Sequence, residues 1–177
     1  MNRPILTLTL IIVSSLHPAI AKNVEIALKH QLDGFLSGYC LDMVGQGEKA
    51  SIDKPLQSHT CYSYRGSLGI DQAFDSEKLT QNQLYITQFD VCAELSELSV
   101  GAQLNLNTCD QSELQQIEMT NEGLIRPIAN SDLCLSSGLT TKRGRNGTSD
   151  HQIKTLTLQE CSDSRAHFQE WYGRSAE

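Results

Sequence analysis

The sequence predicts an all-β, closed or barrel-like domain built from three divergent copies of one unit. Three observations carry this. The six cysteines fall two per copy, short alternating runs recur between clusters of Gly, Asn, Asp and Ser, and no stretch holds a helical period for long. The unit is clearest between residues 38 and 74, where Gly38-Tyr39-Cys40-Leu41-Asp42 leads to Leu56-Gln57-Ser58-His59-Thr60-Cys61 and then to Asp71-Gln72-Ala73-Phe74. A second copy reads Val91-Cys92-Ala93-Glu94, Leu104-Asn105-Leu106-Asn107-Thr108-Cys109 and Gln115-Gln116-Ile117. A third reads Leu133-Cys134-Leu135-Ser136, Leu156-Thr157-Leu158-Gln159-Glu160-Cys161 and Gln169-Glu170-Trp171. The openings at Cys40, Cys92 and Cys134 are unequally spaced, which marks divergent copies with loop insertions and not a regular array.

Taken in order, residues 1–21 carry the pattern of a secretory signal peptide. Arg3 is the positive start, residues 5–13 the apolar run, and Ala19-Ile20-Ala21 a small-residue cleavage site. The run is shorter than the roughly 20 apolar residues that span a bilayer. Residues 22–177 are therefore expected as one secreted domain, extracellular or periplasmic, with repeats at roughly 24–85, 86–128 and 129–177. Residues 24–28 open with partial alternation and read as a strand; Asp33-Gly34 is the strongest signal of a turn across 31–38. Strand-like runs follow at 39–44, 83–89, 103–107, 124–128 and 154–158. Residues 113–120 could form a helical turn, but Gln115-x-Ile117 falls where the other copies place Gln-x-aromatic. Neighbours in a strand face opposite sides, so Phe74, Ile117 and Trp171 are expected to meet in a shared core around a pseudo-threefold axis. Residues 138–151 form the one sizeable insertion, polar and Gly-containing, and are expected as a mobile surface loop. It holds a solvated basic cluster, Lys142-Arg143-Gly144-Arg145, and an N-glycosylation sequon at Asn146-Gly147-Thr148.

The charge balance narrows function. Asp and Glu number 21 against 14 Lys and Arg, a formal charge of −7 that becomes more negative once Arg3 is removed. That argues against nucleic acid, whose phosphates demand clustered cations, and against attachment to anionic lipid. Six cysteines in an exported chain read as three disulfides, and the repeat selects Cys40–Cys61, Cys92–Cys109 and Cys134–Cys161. The rival metal site lacks Cys-x-x-Cys spacing, and the five histidines are dispersed. No metal or cofactor is expected, and no cysteine is left over as a nucleophile.

In combination these motifs resemble the ricin B-type lectins, β-trefoil modules with a Cys-Leu-Asp-like opening, an intra-copy disulfide and a closing Gln-x-Trp. The resemblance covers residues 22–177 and implies a non-catalytic carbohydrate-binding domain, often for galactose- or N-acetylgalactosamine-type glycans. Carried over by position, it implies a pocket in the first copy made by Asp42, Gln57, His59, Asp71 and Gln72. A carboxylate accepts from vicinal sugar hydroxyls, amides work the same edge, and a flat ring covers the apolar pyranose face. This chain departs twice from the family's pattern: His59 replaces the usual Trp or Tyr, and Asp71 replaces Asn. Tyr62 or Tyr64 is the alternative stacking platform. The second copy offers Glu94, Asn105, Asn107, Leu114 and Gln115, and the third Ser136, Thr157, Gln159, Phe168 and Gln169 without a carboxylate; both read as structural. One pocket implies weak monovalent binding, so useful affinity calls for self-association or a toxin or enzyme partner subunit. Two other classes stay open. Asp42 and Asp71 could pair for glycoside hydrolysis, but no Ser/His/Asp or metal constellation accompanies them. A degenerate trefoil could instead serve as a protein-binding or assembly subunit, for example of a secreted toxin complex.

Overall fold

The computed structural model describes residues 23–175; the signal-peptide pattern at residues 1–21 lies outside that range. The chain forms strands β1 (Asn23–Leu28), β2 (Tyr39–Asp42), β3 (Gln57–Thr60), β4 (Phe74–Asp75), β5 (Tyr85–Ile86), β6 (Val91–Leu95) and β7 (Leu104–Asn107). It continues with β8 (Ile117–Met119), β9 (Ile125–Pro127), β10 (Leu133–Ser137), β11 (Lys142–Arg143), β12 (Gln152–Lys154), β13 (Leu156–Glu160) and β14 (Trp171–Arg174). Two short helices, α1 (Ser76–Thr80) and α2 (Ala166–Gln169), complete it. Helix α1 was not expected from the sequence. It begins where the Asp75 carboxylate accepts from the backbone N–H groups of Glu77 and Lys78, an N-cap that satisfies donors left over in the first turn.

Strand register shows the triplication directly. Each repeat folds its two cysteine-bearing segments into an antiparallel hairpin, and the pairing is the same each time. Cys40 faces His59, Cys92 faces Asn107, and Cys134 faces Gln159. Two residues further on, Asp42 faces Gln57, Glu94 faces Asn105, and Ser136 faces Thr157. The disulfides are Cys40–Cys61, Cys92–Cys109 and Cys134–Cys161, one per repeat.

The closing motifs tie one repeat to the next. Phe74 pairs with Ile86, Ile117 pairs with Pro127, and Trp171 wraps around to pair with Leu28 in the first strand of the chain. This is a cyclic, head-to-tail closure, and the fold is a β-trefoil. By this register β5 begins one residue before the division drawn from sequence at 86, and β9 four residues before the one at 129. Phe74, Ile117 and Trp171 lie together in one apolar core with Ile26, Leu41, Met43, Leu95 and Leu104. The junctions require tight backbone approach. Ile117 N donates to Asn82 O and Trp171 N to Gly123 O, and both acceptors have positive φ (63° and 97°). A Cβ at Gly123 would lie 2.3 Å from Trp171 O, so only glycine fits the third junction.

The recurring glutamines are structural in every copy. Gln72 accepts from Tyr62 N and donates to Thr60 O, Gln115 accepts from Asp110 N and donates to Thr108 O, and Gln169 accepts from Ser162 N and donates to Glu160 O. In each case one buried amide brackets the backbone around the second cysteine. It replaces the hydrogen bonds that a chain leaving a strand would otherwise lose.

Within the insertion residues 142–143 are strand, and the strand that follows it ties it to the first repeat: β11 pairs with β12, and β12 pairs with β3, placing Ile153 opposite His59 and Lys154 opposite Ser58. The third repeat thereby adds two strands to the first repeat's hairpin. Gln152 anchors them. Its backbone N–H donates to Thr60 Oγ1, its Nε2 donates to Asp33 O, and its Oε1 accepts from Phe35 N. Lys154 is buried, and its Nζ lies 2.9 Å from Asp33 Oδ1 and 2.6 Å from Thr141 Oγ1. Burial alone would raise the Asp33 pKa, but hydrogen bonds from Thr141, Lys154 and Tyr39 with the Lys154 charge bring it to about 2.

Candidate functional site

The added strands create a cleft of about 870 Å³ between the first repeat's hairpin and the insertion. Its floor is His59 and Tyr62, with ring centroids 5.3 Å apart. His151 stands edge-on to His59 at 5.1 Å, and Tyr64 edge-on to His151 at 6.1 Å. Phe35 and Leu36, carried on the loop that Gln152 anchors, form an exposed apolar wall. Arg65, Arg143 and Arg145 line the cleft with Gln57, Gln46, Ser149 and Asp150.

Hydrogen bonds define what this surface presents. His59 Nδ1 lies 2.9 Å from Thr60 O. A carbonyl only accepts, so Nδ1 carries the proton and Nε2 is left as an acceptor. Burial lowers the His59 pKa to about 4, helped by the nearby His151 and Arg65 against the Thr60 contact, so the ring is neutral at physiological pH. Tyr64 Oη and an Arg65 guanidinium nitrogen approach His151 Nε2 at 2.9 and 3.2 Å. Arginine only donates, so that nitrogen is also unprotonated, and burial with the Arg65 charge pushes the His151 pKa down.

Behind the floor lies a buried polar relay. Gln57 Nε2 donates to Asp42 Oδ2 at 2.8 Å and Gln72 Nε2 donates to Asp42 Oδ1 at 2.9 Å. Asp42 is fully buried, and desolvation pushes its carboxyl well above the usual range despite these two amides. The arrangement leaves Gln57 Oε1 without a protein donor among the described residues, as an acceptor at the cleft.

Of the five residues implied by the resemblance, Gln57 and His59 line the cleft. Asp42 and Gln72 are buried behind it, Asp42 accepting from both Gln57 and Gln72. Asp71 is buried, accepts from Gly47 N through Oδ2 and borders a separate hollow of about 150 Å³. Both tyrosines named as alternative platforms belong to the cleft, Tyr62 buried and Tyr64 exposed. Sequence reasoning did not find Phe35, Arg65, Arg143, Arg145 or His151, because their convergence depends on β12 pairing with a strand from another repeat. The counterparts of Asp42 and His59 in the other repeats make internal bonds of their own. Glu94 accepts from both Gln115 and Asn107, and Gln159 donates to Thr157.

No family model and no curated protein matches the chain. Solved structures do. The mdaA-1 domain superposes with a TM-score of 0.58 at 14% identity, covering 89% of this chain and 91% of that one. The designed three-fold symmetric protein ThreeFoil gives 0.54 at 16% identity, covering 86% and 98%. A chain of the Haemophilus ducreyi cytolethal distending toxin gives 0.53 at 15% identity, covering 94% and 95%. At these identities the likeness is one of fold, and it is to the β-trefoil class.

Proposed function

We propose that this protein is a secreted, non-catalytic carbohydrate-binding module whose sugar site is the cleft beside the first repeat. The observation that supports this reading most is the pairing of an aromatic lining, His59 and Tyr62 tilted 53° to one another beside the exposed Tyr64, with the oriented acceptor Gln57 Oε1. A pyranose has one apolar C–H face and an edge of hydroxyl donors, and this surface matches both. The carboxylates that a glycosidase would need at the scissile bond, Asp42 and Asp71, are buried away from the cleft. The ligand is a galactose- or N-acetylgalactosamine-type glycan. Three disulfides suit an oxidising compartment, and among the described residues no helix is long and apolar enough to cross a membrane.

A glycan array probed with the oxidised protein tests the reading. Binding to galactose-terminated glycans is expected, competed by free sugar and lost in Gln57→Ala. Asp42→Ala is expected to weaken binding and also to destabilise the fold by about 1–3 kcal/mol, because the buried Gln72 amide and the half-buried Gln57 amide lose their acceptor. The second reading is an assembly subunit, supported by the near-complete superposition on a toxin chain. An array without signal, together with a stable complex formed with a co-encoded protein, would favour it.

A further inference from the structure

We infer that the cleft recognises an acidic saccharide, one carrying a carboxylate, through arginines contributed by two different repeats. The inference rests on the carbohydrate reading and adds the ligand's charge class.

The chain as a whole is acidic, at −7. Yet the charged side chains of the cleft are Arg65, Arg143 and Arg145 against one carboxylate, Asp150. That carboxylate is exposed and already lies 3.7 Å from Arg143. Neither Arg65 nor Arg145 has a carboxylate partner among the described residues. Three cations, one of them paired, therefore converge on a chain whose net charge is negative. That pattern repels acidic polymers and surfaces at a distance and rewards a single small anion inside the cleft.

Arg65 is oriented before any ligand arrives. Its Nε donates to Tyr64 Oη at 2.9 Å, a terminal nitrogen lies 3.2 Å from His151 Nε2, and the guanidinium sits over the Tyr62 and Tyr64 rings at 5.1 and 5.2 Å. A planar fork held this way keeps further N–H donors for a carboxylate and loses little side-chain freedom on binding. Tyr64 and His151, which hold it, also line the cleft, so the charge is fixed at the edge of the aromatic lining.

Arg145 approaches from the insertion, in the left-handed backbone region at φ 49°, followed by Asn146 at 52°. Arginine in that region carries strain of the kind held at ligand-binding edges. Asn and Gly tolerate that region far better, so placing arginine there presents its side chain at some cost in stability. The neutral state of His59 and His151 agrees with a cationic cleft, since Arg65 lowers the pKa of both and Arg145 that of His151.

Titration calorimetry at low ionic strength tests this, with four probes: lactose, sialyllactose, its carboxyl methyl ester and sulfated lactose. Sialyllactose is expected to bind at least about tenfold tighter than lactose, the increment of one charge-assisted hydrogen bond. The advantage should disappear in the methyl ester and shrink as salt is raised. Arg145→Gln, on the exposed rim, and Arg65→Gln should each narrow the ratio of acidic to neutral affinity, with thermal melts checking that both variants are folded. Equal affinity for the acid, its ester and lactose would overturn the charge assignment while leaving carbohydrate binding in place. So would binding of the sulfated sugar without the carboxylated one. No heat with any saccharide would sink the carbohydrate reading, and this inference with it.

Discussion

His59 spends its Nδ1–H on Thr60 O and is buried against Tyr62 and His151, with Arg65 close by. Its pKa falls from 6.5 to about 4, so between those values the unfolded chain takes up a proton that the folded chain refuses. The sign follows: stability is complete above the unfolded value and is lost as pH falls toward 4, by on the order of 3 kcal/mol for this one group. Asp42 opposes it, since a carboxyl whose pKa is raised on folding favours the folded state in acid. The two are separated by His59→Asn, which keeps an N–H donor for Thr60 O and does not titrate. Urea unfolding at about pH 7 and about pH 5 should show a larger loss for the parent protein than for the variant. Matching losses would mean that His59 takes up its proton freely in the folded state. Asp42 itself is buried, and the triplication sets it opposite Gln57, but spacing along a strand does not say which of two facing side chains reaches solvent.

The hairpin of β11 and β12 is the element on which the cleft depends, because it brings Arg143, Arg145 and His151 over the first repeat. Its tip can be removed without touching the trefoil. Replacing residues 144–151 by Asn-Gly would join Arg143 to Gln152 through a two-residue turn and leave the Gln152 and Lys154 anchors in place. Such a variant is expected to keep its melting temperature within a few degrees and to lose glycan binding by about tenfold or more. Undiminished binding would place the ligand elsewhere. The same element explains why the sequence showed the strands and the closing glutamines but not the cleft. Repeated spacing within each copy marks Cys40, Cys92 and Cys134 and sets Gln72, Gln115 and Gln169 in register. No local pattern announces that Ile153 of the third copy will lie opposite His59 of the first. By contrast α1 was legible in principle, through Asp75 two residues before Glu77 at the start of a polar run, and its cap was passed over.

At the level of the whole molecule, stability is distributed over three similar lobes. The disulfide loops span 21, 17 and 27 residues, and the entropy of closing them differs by only a few tenths of a kcal/mol. Removing any one pair by Cys→Ser should therefore cost a similar amount, about 3 kcal/mol, in denaturant unfolding. A much larger cost for one pair would show that its lobe organises the rest. Non-reducing peptide mapping should recover three links, each within a repeat. The pairing of β14 with β1 has a further consequence. Glu25 lies opposite Arg174 in the ladder and is ion-paired to it, so the two ends of the described chain are neighbours in space. The seam is built like the two internal repeat junctions, which makes the point at which the polypeptide is cut arbitrary in topological terms. A gene rearranged to join residue 175 to residue 23 by a short linker, and opened instead at the exposed turn near Gly101, would encode the same barrel. Any cargo attached next to residues 23 and 175 would leave from one shared doorway.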